Sequence, residues 1–212
     1  MIEILNLSKT YGKHRIIDSI TCKFEPGTIY GLVGPNGSGK TTLMRCICGF
    51  ARPSGGEIIV DGEQVGKDVD FAPKTGIIIE EPGFLLQLSA IRNLKILANV
   101  SQEVSSRQII EIMKLVGLDP YEKKPVSKYS LGMRQRLGIA QAIMENPNNL
   151  ILDEPFNGLD NRGIKEVYKL LKKFKCDGKT IILVSHSMID IASTCDVVFE
   201  IKNGKLIKIK YK

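Results

Sequence analysis

Gly34-Pro35-Asn36-Gly37-Ser38-Gly39-Lys40-Thr41 decides how the rest of the chain is read, because it fits G-x-x-x-x-G-K-[ST] at every fixed position. Ile29-Tyr30-Gly31-Leu32-Val33 before it is a short apolar run of strand formers, and Thr41 to Cys48 after it reads as a helix stopped by Gly49. Strand, glycine loop and helix form the arrangement that holds a polyphosphate. The glycines let successive N–H groups turn inward, and the helix start adds unpaired N–H groups and the positive end of its dipole. Thr42 continues the loop into the helix; Lys40 is suited to the β- and γ-phosphates, and the Thr41 hydroxyl to Mg²⁺.

The chain has 212 residues, 43% of them hydrophobic, enough to bury a proper core as one large domain or a domain with a subdomain. No stretch approaches the run of about 20 apolar residues that spans a bilayer. Met1-Ile2-Glu3-Ile4-Leu5-Asn6 has no basic region or long apolar core, so no secretion signal is expected. Five cysteines without metal-ligand spacing read as reduced thiols of a cytosolic protein. The net charge is +7, and much of the excess falls on Lys165 to Lys179 and on the tail from Lys202 to Lys212. In the tail, Ile207, Ile209 and Tyr211 alternate with Lys208, Lys210 and Lys212, as in an edge strand. A solvated lysine face ranks first for this excess and a patch for anionic lipid second. Nucleic acid is not expected, because no recognised nucleic-acid module accompanies the charge.

In chain order, Ile2 to Leu7 and Ile16 to Phe24 read as strands. Tyr11, at a turn between them, could stack on a base. Glu57 to Val60 and Gly76 to Ile79 are further strands, the second ending in Glu80-Glu81-Pro82-Gly83. From Ser89 to Asn146 the pattern is helical: Ser89 and Ser105 or Ser106 are candidate caps, and Ser130 caps a helix over Leu131 to Asn146 that Pro147 closes. A hydroxyl-capped helix start is again a place for an anion.

Leu150-Ile151-Leu152-Asp153-Glu154 is an apolar strand that ends in two carboxylates, at the sheet edge where ligands of parallel sheets bind. Asp153 is suited to holding Mg²⁺, and Glu154, farther out, to taking a proton from water. Asn157-Gly158-Leu159-Asp160 is a turn, followed by a helix to about Lys175. Thr180 to Ser185 is a buried strand ending at His186, one of only 2 histidines; such a residue is either an ordinary surface or capping histidine or, beside the Asp-Glu strand, a group that could reach a γ-phosphate.

Taken together, these motifs resemble the ATPase subunits of ATP-binding cassette (ABC) transporters over essentially the whole chain. Tyr11 matches the adenine-stacking aromatic, and Gly34 to Thr42 the phosphate loop. Ser130, Leu131, Gly132 and Met133 stand at the LSGGQ-type signature, Asp153 and Glu154 at the Mg²⁺ ligand and general base, Asp160 in the D-loop, and His186 at the switch histidine. Two departures stand out. Glu80 replaces the usual metal-ligand glutamine, which keeps an oxygen donor, and Leu131 and Met133 replace a glycine and a glutamine of the signature. Glu80 and the Tyr129-Ser130-Leu131-Gly132-Met133 form resemble the ATPases of bacitracin-type and lantibiotic peptide export and self-protection.

The resemblance implies an α/β P-loop fold with a mostly parallel central sheet, an N-terminal antiparallel β-subdomain and an inserted helical subdomain. Its divisions are 1–81 and 147–212 for the core with the antiparallel part, and about 82–146 for the helices. It implies ATP hydrolysis with Mg²⁺ in a head-to-tail homodimer or heterodimer, each site closed by the partner's signature. It also implies separate integral membrane subunits, docked around Glu81 to Asn99, and a peripheral location on the cytoplasmic face of the membrane. The rival is an ABC ATPase of DNA repair, chromosome structure or translation. That class needs a long coiled-coil insertion or a second cassette, and the roughly 90 residues between Lys40 and Ser130 leave room only for a compact helical unit.

Overall fold

A computed structural model describes residues 1–80 and 82–209. β1 (Ile2–Tyr11) and β2 (His14–Phe24) pair antiparallel as far as Tyr11 and His14. Both run longer than their sequence pattern suggests. An irregularity between Ile4 and Leu7, with Asn6 at φ 50°, breaks the two-residue alternation while the strand continues. β3 (Thr28–Val33) leads into α1 (Lys40–Cys48), followed by β4 (Gly55–Val60), the two-residue β5 (Glu63–Gln64) and β6 (Thr75–Ile78). Then come α2 (Ala90–Ser101), α3 (Ser106–Leu115), α4 (Leu131–Ile143) and β7 (Asn149–Asp153). The chain continues through α5 (Asn161–Cys176), β8 (Thr180–Val184), α6 (Met188–Thr194), β9 (Val197–Lys202) and β10 (Lys205–Ile209).

Two sheets result. The antiparallel one runs β2-β1-β4-β5, and the larger one β10-β9-β3-β8-β7-β6, parallel except for β10 at its edge. β3, β7 and β8 of the larger sheet are covered on both faces, so they read as unbroken apolar runs. In β8, Ile181 and Leu183 enter the core beneath the helices with Leu94, Met113, Leu137 and Leu171. Ile182 and Val184 enter the other core, with Ile4, Leu43 and Ile58 from the antiparallel sheet and α1. The sheet is thus pressed between two apolar clusters, which fixes its carboxyl edge.

The helix ends show where local pattern and structure differ. Ser105, not Ser106, caps α3 in a full capping box with Gln108. Ser89 stands at the start of α2, but its hydroxyl makes no capping bond. It is buried in a bridge to Pro125, and its carbonyl accepts from Asn93. Helix α4 stops at Ile143, short of Asn146, which turns to φ 48° ahead of Pro147. The seven-residue α6 has too short a pattern to stand out in the sequence. The edge-strand reading of the tail applies to β10; Lys210, Tyr211 and Lys212 lie outside the described residues.

Candidate nucleotide site

In the parallel register, Leu32 of β3 and Asp153 of β7 both face Val184 of the intervening β8. Three chain segments therefore leave the same sheet edge side by side: the glycine loop, Glu154, and Ser185-His186. Gly34 adopts φ 142°, and a Cβ there would lie 2.5 Å from the Ile201 carbonyl oxygen, so only glycine lets the loop pass β9. Within the loop, Ser38 N–H donates to the Pro35 carbonyl at 3.2 Å. The buried Ser38 hydroxyl has no hydrogen-bond partner among the described residues.

Lys40 is the first residue of α1 and is buried; its Nζ donates to the Gly34 carbonyl at 2.8 Å and the Pro35 carbonyl at 3.0 Å. Burial lowers its pKa, while the carboxylates of Asp153 and Glu154 act in the opposite direction. Burial also raises Asp153, opposed by Lys40 and His186 and reinforced by Glu80. Glu154 is raised for the same reason, with the His186 ring and backbone N–H pulling it back. Its backbone sits at φ 48°, held by Glu154 N–H donating to Val184 O at 2.9 Å. Glu154 Oε1 is buried without a hydrogen-bond partner among the described residues, and His186 Nε2 stands 3.7 Å from it.

A cavity of about 950 Å³ opens in front of these groups. Of the residues singled out in the sequence, Tyr11, Asn36, Gly37, Gly39, Lys40, Thr41, Thr42, Glu80, Leu131, Asp153, Glu154 and His186 line it. Gly34, Pro35 and Ser38 do not face the cavity, and neither do Ser130, Gly132, Met133 and Asp160. The Ser130 hydroxyl accepts from Met133 N–H, and Asp160 caps α5 by accepting from Gly163 N–H. Tyr11, at the rim, has Lys9 Nζ 4.7 Å from its ring centroid. Glu80 is exposed at φ 62° and forms an ion pair with Arg45 at 3.6 Å. Phe156 is buried edge-on against Tyr168, a packing role. Sequence reading did not assign Arg134, Gln135, Asn157 or the apolar wall of Ile16, Phe84 and Leu86 to this cavity. For Arg134 and Gln135 the visible signal was the polar start of α4; Asn157 and the apolar wall left none.

A glycine loop between strand and helix, with a carboxylate-tipped strand at the same sheet edge, defines a P-loop nucleotide-binding α/β protein. Residues 17–157 match the ABC transporter family, and the chain belongs to it as an ATPase. It is 47% identical to the uncharacterized ABC transporter ATP-binding protein YybJ of Bacillus subtilis (strain 168), covering 97% of this chain and 94% of that one. It is 40% identical to the lantibiotic transport ATP-binding protein SrtF of Streptococcus pyogenes, covering 98% and 89%. It is also 41% identical to the bacitracin transport ATP-binding protein BcrA of Enterococcus faecalis, covering 98% and 68%. The fold matches a solved ATP-binding subunit of an ABC transporter at TM-score 0.89 and 24% identity, over 99% of this chain and 90% of that one. It also matches a dimeric cassette bound to ADP and Pi at TM-score 0.88 and 22% identity, over 100% and 99%.

Proposed function

We propose that this chain hydrolyses Mg-ATP at the described cavity and powers separate membrane subunits that export a peptide antibiotic or a similar amphipathic compound. The supporting observation is the meeting of Lys40, Asp153, Glu154 and His186 at one sheet edge beside the glycine loop. The cargo class rests on the names of the relatives. Among the described residues, no group of three or more His, Cys, Asp and Glu is arranged to hold a metal by itself. The donors at the cavity are a few hard oxygens, the Thr41 hydroxyl and Asp153 carboxylate with Glu80 at the rim. That set suits Mg²⁺ carried in on phosphates and keeping part of its water shell. When bound, Mg²⁺ would neutralise charge on the phosphate oxygens.

Each side chain then has a task. Lys40 exchanges the carbonyls of Gly34 and Pro35 for phosphate oxygens, and free N–H groups of the loop and of the start of α1 line the polyphosphate. Glu154 accepts a proton from the attacking water at Oε1, the buried oxygen without a partner among the described residues. His186 Nε2 holds that carboxylate in orientation and meets the γ-phosphate. Tyr11 stacks on the adenine. The site is completed head to tail by Ser130, Leu131, Gly132 and Met133 of a second subunit, identical or not, with Asp160 at the junction. Residues 1–81 and 147–212 act as the core and about 82–146 as the helical unit. Its face toward Asn99 docks the membrane subunits; Glu81, at the start of that surface, lies outside the described residues. Among the described residues no helix is long and apolar enough to cross a membrane. In this reading the chain works at the cytoplasmic face through those subunits, as the names of its transport ATP-binding relatives suggest.

The test is resistance in cells. Expressed with its membrane subunits in a sensitive host, the chain should raise the inhibitory concentration of bacitracin or a lantibiotic, and Glu154→Gln should abolish the effect. Equal protection by the variant would remove hydrolysis from the account.

A further inference from the structure

Leu131 opens α4 where family resemblance sets a signature glycine, and its side chain packs against the 157–160 loop. Gly158 sits at φ 73°; a Cβ on it would lie 2.5 Å from Leu131 Cγ, 2.7 Å from Cδ2 and 2.9 Å from Cβ. From the other side, a Cβ on Gly132 would lie 2.6 Å from the Gly158 carbonyl oxygen. The two segments therefore touch with no room for a methyl group. One turn along the same helix, Gln135 Nε2 donates to the backbone carbonyl of Glu154 at 3.2 Å. The start of α4 thus grips both ends of the segment that carries the base.

We propose that Leu131 is a positioning residue that locks the start of α4 onto the 157–160 loop, so that Glu154 and the signature move as one unit. An apolar side chain suits this task because it replaces the freedom of a bare glycine with a packed contact that resists loop opening. The consequence for catalysis rests on the head-to-tail reading above. The start of α4 would meet one nucleotide while Glu154 serves the other, so the lock sets the base according to how the neighbouring site is closed.

The test separates the lock from that reading. Two amides report on the loop: Asn157 N–H, bonded to Glu154 O at 3.1 Å, and Leu159 N–H, bonded to Phe156 O at 3.2 Å. In nucleotide-free protein, Leu131→Gly should speed hydrogen exchange at both by about tenfold, and Leu131→Met should stay near wild type. Unchanged exchange in the glycine variant overturns the lock. Gly158→Ala should lower Tm less in the Leu131→Gly background than in wild type, since the clash has gone; equal losses also overturn it. In turnover, Leu131→Gly should lower kcat and Leu131→Met should keep it near wild type. An unchanged kcat in the glycine variant, or an equal loss in the methionine variant, overturns the positioning role. Failure of the wild-type chain to bind ATP would sink the functional reading, while the exchange and Tm comparisons would still decide the lock.

Discussion

Glu154 Oε1 and His186 Nε2 stand 3.7 Å apart, a separation that orients the carboxylate without giving the buried oxygen a hydrogen bond. An ionised carboxylate in that position is ready for a proton and costs stability while it waits. Glu154→Gln removes the charge, so it should stabilise the nucleotide-free protein by on the order of 1 kcal/mol at neutral pH. Because burial raises the Glu154 carboxyl in the folded state, its ionisation erodes stability as pH rises through that pKa. The gain from Gln should therefore shrink in acid, where Glu154 is already protonated. Thermal melts of both proteins across the acid-to-neutral range measure this; a gain that persists in acid contradicts the charge argument.

The same pair predicts a shift in the pH profile of hydrolysis. Activity should fall on the acid side as Glu154 takes up a proton and can no longer act as base. The His186 ring opposes the raised Glu154 pKa, so in His186→Ala the residual activity should lose its acid limb at a higher pH than wild type. A sensitive phosphate-release assay measures both profiles, and an acid limb that moves the other way would separate it from Glu154.

If Glu80 holds Mg²⁺ as proposed, Arg45 competes with the metal for it. Their ion pair is 3.6 Å long, with side-chain exposures of 47% and 62%, so solvent screens it strongly. Arg45→Met should release Glu80 and lower the Mg²⁺ concentration for half-maximal turnover by about two- to fivefold. Glu80→Gln should raise that concentration and cancel the effect of the Arg45 change. Independent effects of the two substitutions would place Glu80 away from the metal.

Tyr11 is 49% exposed at the cavity rim, with Lys9 above its ring. If the ring stacks on adenine, Tyr11→Ala should weaken ATP binding by about tenfold, from the stacking energy of one base. Tyr11→Trp should bind at least as well as wild type. Calorimetric titration of ATP into the three proteins decides it, and equal affinity for Ala and Tyr removes the stacking role.

Ser105 caps α3 and takes part in a capping box with Gln108. Ser105→Ala should cost about 1 kcal/mol and lower Tm by roughly 2–4 °C. Because α3 contributes nothing to the cavity wall, ATP affinity should be unchanged.

Much of what depends on neighbours in the chain was legible from the sequence. The apolar runs of β3, β7 and β8, the loop between β3 and α1, and the carboxylates at the end of β7 follow from short-range pattern and glycine spacing. A serine cap at the start of α3 was legible too, but the pattern left Ser105 and Ser106 open, and the structure chose Ser105, which pairs with Gln108. Only the tertiary structure decided the strand order that lays β8 between β3 and β7 and brings Lys40, Glu154 and His186 to one edge. It also decided that Lys40 rests on two carbonyls, that Ser89 is diverted into a bridge, that Arg45 meets Glu80, and that Leu131 closes over Gly158. The physical reason is the range of the interactions. Dihedral preference and hydrophobic period act over a few residues and leave a mark in the local pattern. Strand order and close packing join residues far apart in sequence, through contacts that exist only once the two apolar cores have formed.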